Sequence, residues 1–338
     1  MSRSPTPRRG ARWAAVLLAA LLLAACGRSA DEQETRHRFM AMGTLVDVTI
    51  WGMPPAEAEA AAREVEALFH VLHHAWDPWG DGALGRANQA LAAGEPALLD
   101  EDLAALLAEA EALRLASGGL FDPAMGTLVQ LWGFASEELR PEAPPPPEAI
   151  AAALAAEVPQ FDLGGFLKGV AVDRGMDLLR ARGAAHAIVN AGGDLRAIGR
   201  RGARPWRIGI RAPREATVIA ALEIEDDAAV FTSGDYERGF EHAGRRYHHV
   251  LDPRSGYPTE GIASVTVLHG DAGRADAAAT ALMVAGPEAW PATAAALGVT
   301  AVMVMLEDGA IELTEAMRPR VSFTAEEHGR RARVRPLP

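Results

Sequence analysis

A chain of 338 residues, about half of them apolar, can bury a substantial core as one large domain or two joined ones. The formal net charge is −12, and four arginines but no acid precede Cys26, so the chain from Cys26 onward carries −16. That balance excludes the basic footprint a nucleic-acid-binding surface needs, and the lack of any cysteine after Cys26 excludes disulfides, cysteine-rich zinc sites and thiol catalysis.

The first predicted element is a leader. Arg8, Arg9 and Arg12 make a charged start, and the apolar run from Trp13 to Ala25 is too short to span a bilayer as a helix but fits the core of a signal peptide. It ends in Leu23-Ala24-Ala25-Cys26-Gly27, which resembles the bacterial lipobox, a motif whose cysteine is diacylated and becomes the mature N-terminus. The expectation is a lipoprotein signal at 1–25 with Cys26 as the lipidation site, anchoring the chain to a bacterial membrane with its domain facing the periplasm or cell exterior. The plainer reading is a cleaved leader beside a chance cysteine, or an uncleaved anchor. Residues 26–38 are mostly polar and charged and read as a tether.

Alternation predicts a strand from Thr44 to Ile50. Pro54-Pro55 opens an amphipathic helix to about Ala75, and Asp100 reads as the N-cap of a second helix that stops at Ser117-Gly118-Gly119. A proline-rich loop from Pro141 to Pro147 precedes a short helix to about Ala156. Phe166–Arg182 reads as helix, with Gly183 as its stop. Strands are expected at His186–Asn190, Trp206–Arg211, Val218–Ile224, Ala228–Thr232 and Ile262–Leu268. Helices at Arg274–Val284 and Glu288–Leu297 then precede strands at Thr300–Leu306 and Ala310–Leu313. This mixed order, without regular βαβ alternation, favours α+β over a doubly wound sheet.

Five segments carry chemistry. Phe161-Asp162-Leu163-Gly164-Gly165-Phe166-Leu167-Lys168-Gly169 puts glycines and the chain's only lysine at a helix start, a device for holding phosphate, though the spacing is not that of a Walker A loop. Asn190-Ala191-Gly192-Gly193-Asp194 follows a strand, as does Thr232-Ser233-Gly234-Asp235-Tyr236-Glu237-Arg238. Either is a close backbone approach to a ligand or an ordinary turn. In His248-His249-Val250-Leu251-Asp252-Pro253-Arg254-Ser255-Gly256, adjacent histidines on a strand point to opposite faces, so one of them is free to serve as a general base. Asp276 and Thr280, four apart on a helix, share a face and offer hard oxygen ligands suited to Mg²⁺ and not to zinc. Taken singly, each has a structural reading of similar weight.

In this order, together with Met42-Gly43-Thr44, Phe121-Asp122-Pro123 and Leu131-Trp132-Gly133-Phe134, these segments closely resemble the bacterial flavin-transferase family, the FAD:protein FMN transferases or ApbE-like lipoproteins. The resemblance covers nearly all of the chain after Cys26. It implies an α+β fold of mixed, largely antiparallel sheets with packed helices, a T-fold-like architecture, over residues 39–318, leaving 319–338 as a loosely held basic tail. It implies an enzyme that cleaves FAD in a Mg²⁺-dependent site, attaches FMN through a phosphoester to a Thr or Ser of an exported or membrane redox protein, and releases AMP. Carried onto this chain, the metal falls on Asp276 and Thr280 with main-chain oxygen from Gly165. FAD contacts fall on Met42, Leu120, Phe121, Asp122, Asp162, Lys168 and Val250. His249 is the candidate catalytic residue, with Asp252 or a metal-bound water as alternative bases.

One stretch departs from the family. Where members carry a serine-rich segment ending in Leu-Asn, this chain reads Trp76-Asp77-Pro78-Trp79-Gly80-Asp81-Gly82-Ala83-Leu84-Gly85-Arg86-Ala87-Asn88, keeping the asparagine without the serines. Trp76 or Trp79 offers a ring for stacking there, and burial of either is the plainer role. Two other functions use the same residues: a FAD pyrophosphatase yielding FMN and AMP, and a non-enzymatic flavin-binding lipoprotein.

Overall fold

The computed structural model describes residues 33–135, 142–325, 329 and 332–338, so the leader and Cys26 lie outside the described residues. Strands β1 (Glu34–Ala41) and β2 (Thr44–Trp51) form an antiparallel hairpin with Ala41 opposite Thr44. β2 buries Val46, Val48 and Ile50 and leaves the residues between them partly exposed, the alternation read from the sequence. β1 corrects the tether assignment, because the chain is paired from Glu34 onward. Its outer face carries Arg36 and Arg38, which bond Glu34 and Asp47, and it buries only Phe39 and Ala41.

Helix α1 (Pro55–Trp76) starts with proline at its first position, where no N–H is needed. It lays Ala58, Ala61, Ala62, Val65, Phe69, Leu72 and Trp76 along one buried stripe. α2 (Ala83–Ala92) occupies the divergent segment, which was not expected to be helical. α3 (Glu101–Ala116) has the predicted cap, with Asp100 Oδ1 accepting Leu103 N–H at 2.8 Å. α4 (Gly126–Leu131) and α5 (Pro147–Leu154) are short. α6 (Gly164–Ala181) stops before Gly183, whose φ is +87°. α7 (Ala272–Ala296) spans both helices predicted there, and Gly286, at φ +76° ahead of Pro287, breaks its geometry between them.

The remaining strands are β3 (His186–Ala191), β4 (Asp194–Ile198), β5 (Trp206–Arg211), β6 (Val218–Ile224) and β7 (Asp227–Gly234). After them come β8 (Gly239–His242), β9 (Arg245–His248), β10 (Ile262–His269), β11 (Ala301–Leu306), β12 (Ile311–Leu313), β13 (Val321–Phe323) and β14 (Ala332–Val334). A nine-stranded sheet runs β1-β2-β3-β4-β7-β10-β11-β12-β14, antiparallel except for the last pair, and β13-β6-β5 form a small second sheet. The α+β architecture is the one expected. β11 shows how the layers stack. It sends Val302 and Val304 into the core with α1, α6 and α7, and Ala301, Met303 and Met305 into the core with the small sheet. Covered on both faces, it reads as a continuous apolar run.

The predicted loose tail is also corrected. β14 pairs with β12, and Arg333 and Arg335 both reach the carboxylate of Glu312, which is fully buried and also accepts the Trp290 indole N–H at 2.7 Å. A buried carboxylate left without its cations is costly. Replacing Arg333 and Arg335 together by alanine is therefore expected to cost about 3–5 kcal/mol in urea unfolding, and a loss below about 1 kcal/mol, the size of an exposed pair, would refute this role for the tail.

Candidate active site

The turn ends of β1–β2, β3–β4 and β7, the end of α1 and the start of α6 enclose a cavity of about 960 Å³, large for a small-molecule site. Met42, Leu120, Phe121, Asp122, Asp162, Gly165, Lys168, His249, Val250, Asp276 and Thr280 all line it. Met42 and Gly43 make the tight turn between β1 and β2 with positive φ at both, which sets Met42 on the wall. Gly192, at φ +69°, approaches so closely that an added Cβ would lie 2.3 Å from Thr44 Oγ1, so this turn needs glycine.

Two loops are tied together beneath the cavity. Pro123 O accepts Asp162 N–H at 2.8 Å, and Asn88 clamps Phe161 through both its main-chain groups, at 2.9 and 2.8 Å. Asn88, the residue kept from the family pattern, thus holds up the wall that carries Asp162. The Leu131–Phe134 motif has a similar task. Trp132 is buried, and its indole N–H donates to Gly256 O at 2.8 Å, bracing the 252–256 turn.

Gly169 explains why glycine follows the lysine. A Cβ there would lie 2.2 Å from Ala272 O, so α6 and α7 meet backbone to backbone. That contact delivers the Gly169 N–H to Asp276 Oδ2 at 3.0 Å. Thr280, one turn on, faces Ser233 Oγ at 3.4 Å, and a Cβ added at Gly165 would lie 3.0 Å from Thr280 Oγ1. Lys168 pairs with Asp194, whose other oxygen accepts Thr232 N–H at 2.7 Å. Burial pulls the Lys168 ammonium down, but Asp194 and Asp276 outweigh it and hold the lysine above its usual value. Burial pushes the Asp276 carboxyl up to about 7, against the pull of Lys168 and with help from Asp194 and Glu237. Three carboxylates therefore crowd one ammonium.

That crowding is the test of fit for a cation. No cluster of three or more His, Cys, Asp or Glu suited to a metal occurs among the described residues. The donors at hand are instead one carboxylate with an oxygen free of protein hydrogen bonds among the described residues and the Thr280 hydroxyl. Both are hard oxygens, and they lie beside the Lys168–Asp194 pair on one wall of the cavity. The set fits a hard divalent ion such as Mg²⁺.

The two histidines separate as predicted. His248 is buried and bonded to Thr259 O at 2.8 Å, a structural role. The ring Nδ1 of His249 lies 3.3 Å from Arg238 O. A carbonyl only accepts, so Nδ1 carries the proton and Nε2 keeps the lone pair. Burial, Arg238 and His248 push this imidazole down to about 3. Asp252 is a correction. It is not on the cavity wall, and its carboxylate accepts Arg254 N–H at 2.8 Å and pairs with the Arg254 guanidinium at 2.7 Å. It holds a turn, and of the two candidates only His249 lies on the cavity wall. Asp194, Glu237 and Arg238 lie in motifs quoted from the sequence but were not named there as site residues. A buried lysine's need for a counter-ion was the signal for Asp194, which sits in a quoted motif.

Residues 42–304 match the ApbE family profile. The chain belongs to that family. A FAD:protein FMN transferase of Rhodobacter capsulatus is 39% identical over 93% of this chain, which spans 64% of that relative's length. Relatives of the same name in Treponema pallidum and Vibrio cholerae are 33% and 32% identical, with 82% and 94% of their lengths covered. Among solved structures, the ApbE protein of Thermotoga maritima superposes with a TM-score of 0.77 at 31% identity, over 85% of this chain and 99% of that one. The flavin transferase ApbE of Vibrio cholerae gives 0.75 at 29% identity, with the same coverage.

Proposed function

We propose that this chain is an FAD:protein FMN transferase, moving the FMN half of FAD to a Thr or Ser hydroxyl of a partner protein and releasing AMP. The observation that carries the reading is one cavity that gathers Lys168, the Asp276–Thr280 oxygen pair and a neutral His249. The acceptor oxygen bonds to the FMN-side phosphorus, the pyrophosphate P–O bond breaks toward AMP, and the hydroxyl proton leaves for His249 Nε2. Lys168 and the N-terminus of α6 face the anionic pyrophosphate. Asp276 and Thr280, with main-chain oxygen near Gly165, are the residues to hold Mg²⁺, which supplies charge neutralisation at the reacting phosphates.

The partner is an exported or membrane redox protein, reached from a lipid anchor on Cys26. Among the described residues no helix is long and apolar enough to cross a membrane. Mass spectrometry of the membrane-extracted chain should find a diacylated Cys26 at its start.

Incubation with FAD, Mg²⁺ and a candidate acceptor domain should add one FMN to the acceptor and release one AMP. Rapid release of free FMN at the same rate with and without acceptor would show hydrolysis instead. Tight FAD binding without turnover would leave only a flavin-binding protein.

A further inference from the structure

The divergent 76–88 segment lacks the family's serines, yet it contributes part of the cavity wall. Its two tryptophans have different surroundings. Trp76 is 4% exposed, belongs to the main core and carries the Arg174 guanidinium over its ring at 4.9 Å. Its surface is spent on packing. Trp79 lines the cavity, is only half-buried, and its indole N–H has no hydrogen-bond partner among the described residues. The other tryptophan and phenylalanine side chains on the wall, Trp76, Phe121 and Phe134, are 4%, 3% and 8% exposed. Among the wall's tryptophans and phenylalanines, Trp79 is therefore the one with an accessible face.

The loop that presents Trp79 is tightly constrained. Its N–H donates to Asp77 Oδ1 at 3.0 Å, and Pro78 O accepts from Asn88 Nδ2 at 3.2 Å. A Cβ on Gly82 would lie 1.8 Å from His74 O, and one on Gly85 would lie 2.1 Å from Gly80 O. Glycine contacts thus press the loop onto the end of α1 and the start of α2. An indole held in this way loses little freedom when a flat ring stacks on it.

We propose that Trp79 is a stacking platform for one of the two flat heteroaromatic rings of the dinucleotide, and that it sets the affinity for that half of the substrate. The inference rests on the FAD reading above. The flavin and the adenine share the required chemistry, a planar π-face, and the two halves, offered separately as FMN and AMP, distinguish them.

The experiment measures dissociation constants for FAD, FMN and AMP in the wild type, Trp79→Leu and Trp79→Phe. FAD binding should weaken about ten- to hundredfold in Trp79→Leu and by no more than about threefold in Trp79→Phe. Loss confined to FMN assigns the flavin to Trp79, and loss confined to AMP assigns the adenine. Unchanged affinities in a folded Trp79→Leu protein overturn the proposal, as does an equal loss in the leucine and phenylalanine variants. If Trp79→Leu loses its near-UV dichroism, the fluorescence of Trp79→Phe decides. FAD should then quench a smaller share of tryptophan emission than in the wild type, and an undiminished share overturns the proposal. A wild type that binds no FAD refutes the transferase reading itself, whereas equal binding by the wild type and Trp79→Leu refutes only the stacking.

Discussion

Asp276→Asn should abolish FMN transfer while leaving the fold at least as stable as before. The amide oxygen still accepts the Gly169 N–H, so the α6–α7 contact survives. On the proposed Mg²⁺ reading, what disappears is the charge that draws the cation into a hard-oxygen site, and with it transition-state stabilisation on the order of 10³-fold in rate. The stability side follows from the carboxyl's position near 7, well above the usual 3.8. The folded chain holds this proton more tightly than the unfolded chain does. Its contribution to stability is complete below the ordinary carboxylate range and is lost as pH rises through about 7. Without divalent ions, the wild type should therefore lose thermal stability relative to Asp276→Asn between pH 5 and pH 8, and Mg²⁺ should restore the wild type alone. Transfer within about tenfold of wild type in the asparagine variant would remove Asp276 from the site.

The parts legible in the sequence are those whose signals are local. The Asp100 cap, the Val46–Val48–Ile50 alternation and the four-residue spacing of Asp276 and Thr280 all depend on neighbours within a turn or two of chain. The parts that were not legible depend on distant partners. Strand β1 hid behind Arg36 and Arg38 because an edge strand carries charge on its open side. The C-terminal arginines looked solvated until Glu312, buried in β12, supplied their partner. α2 was obscured by glycines that serve a close approach, not flexibility. In the site, the residues named from motif order line one cavity, whereas the Arg254 contact that turns Asp252 away from it is one that no spacing reveals.

His249→Gln should lower transfer by about 10²- to 10⁴-fold, the range for a positioned acid or base, with FAD affinity nearly intact. The ring is neutral across the working pH range because burial, Arg238 and His248 push it down to about 3. A neutral imidazole whose Nδ1–H is taken by Arg238 O has one thing left to offer, the Nε2 lone pair. So weak a base does not ionise the acceptor hydroxyl in advance. On the proposed reading, it takes the proton only as the oxygen bonds to phosphorus. The pH–rate profile should accordingly show no limb at the ordinary imidazole value near 6.5. Stability should carry the signature instead. The unfolded chain binds a proton at this residue between about pH 6.5 and 3 that the folded chain refuses, so the neutral ring stabilises the fold fully above 6.5 and that contribution fades as pH falls. His249→Gln should thus resist acid unfolding better than the wild type while transferring far more slowly. A profile that bends at 6.5 in the wild type and straightens in the variant would mean instead that the imidazole titrates freely and acts as an ordinary solvent-exposed base.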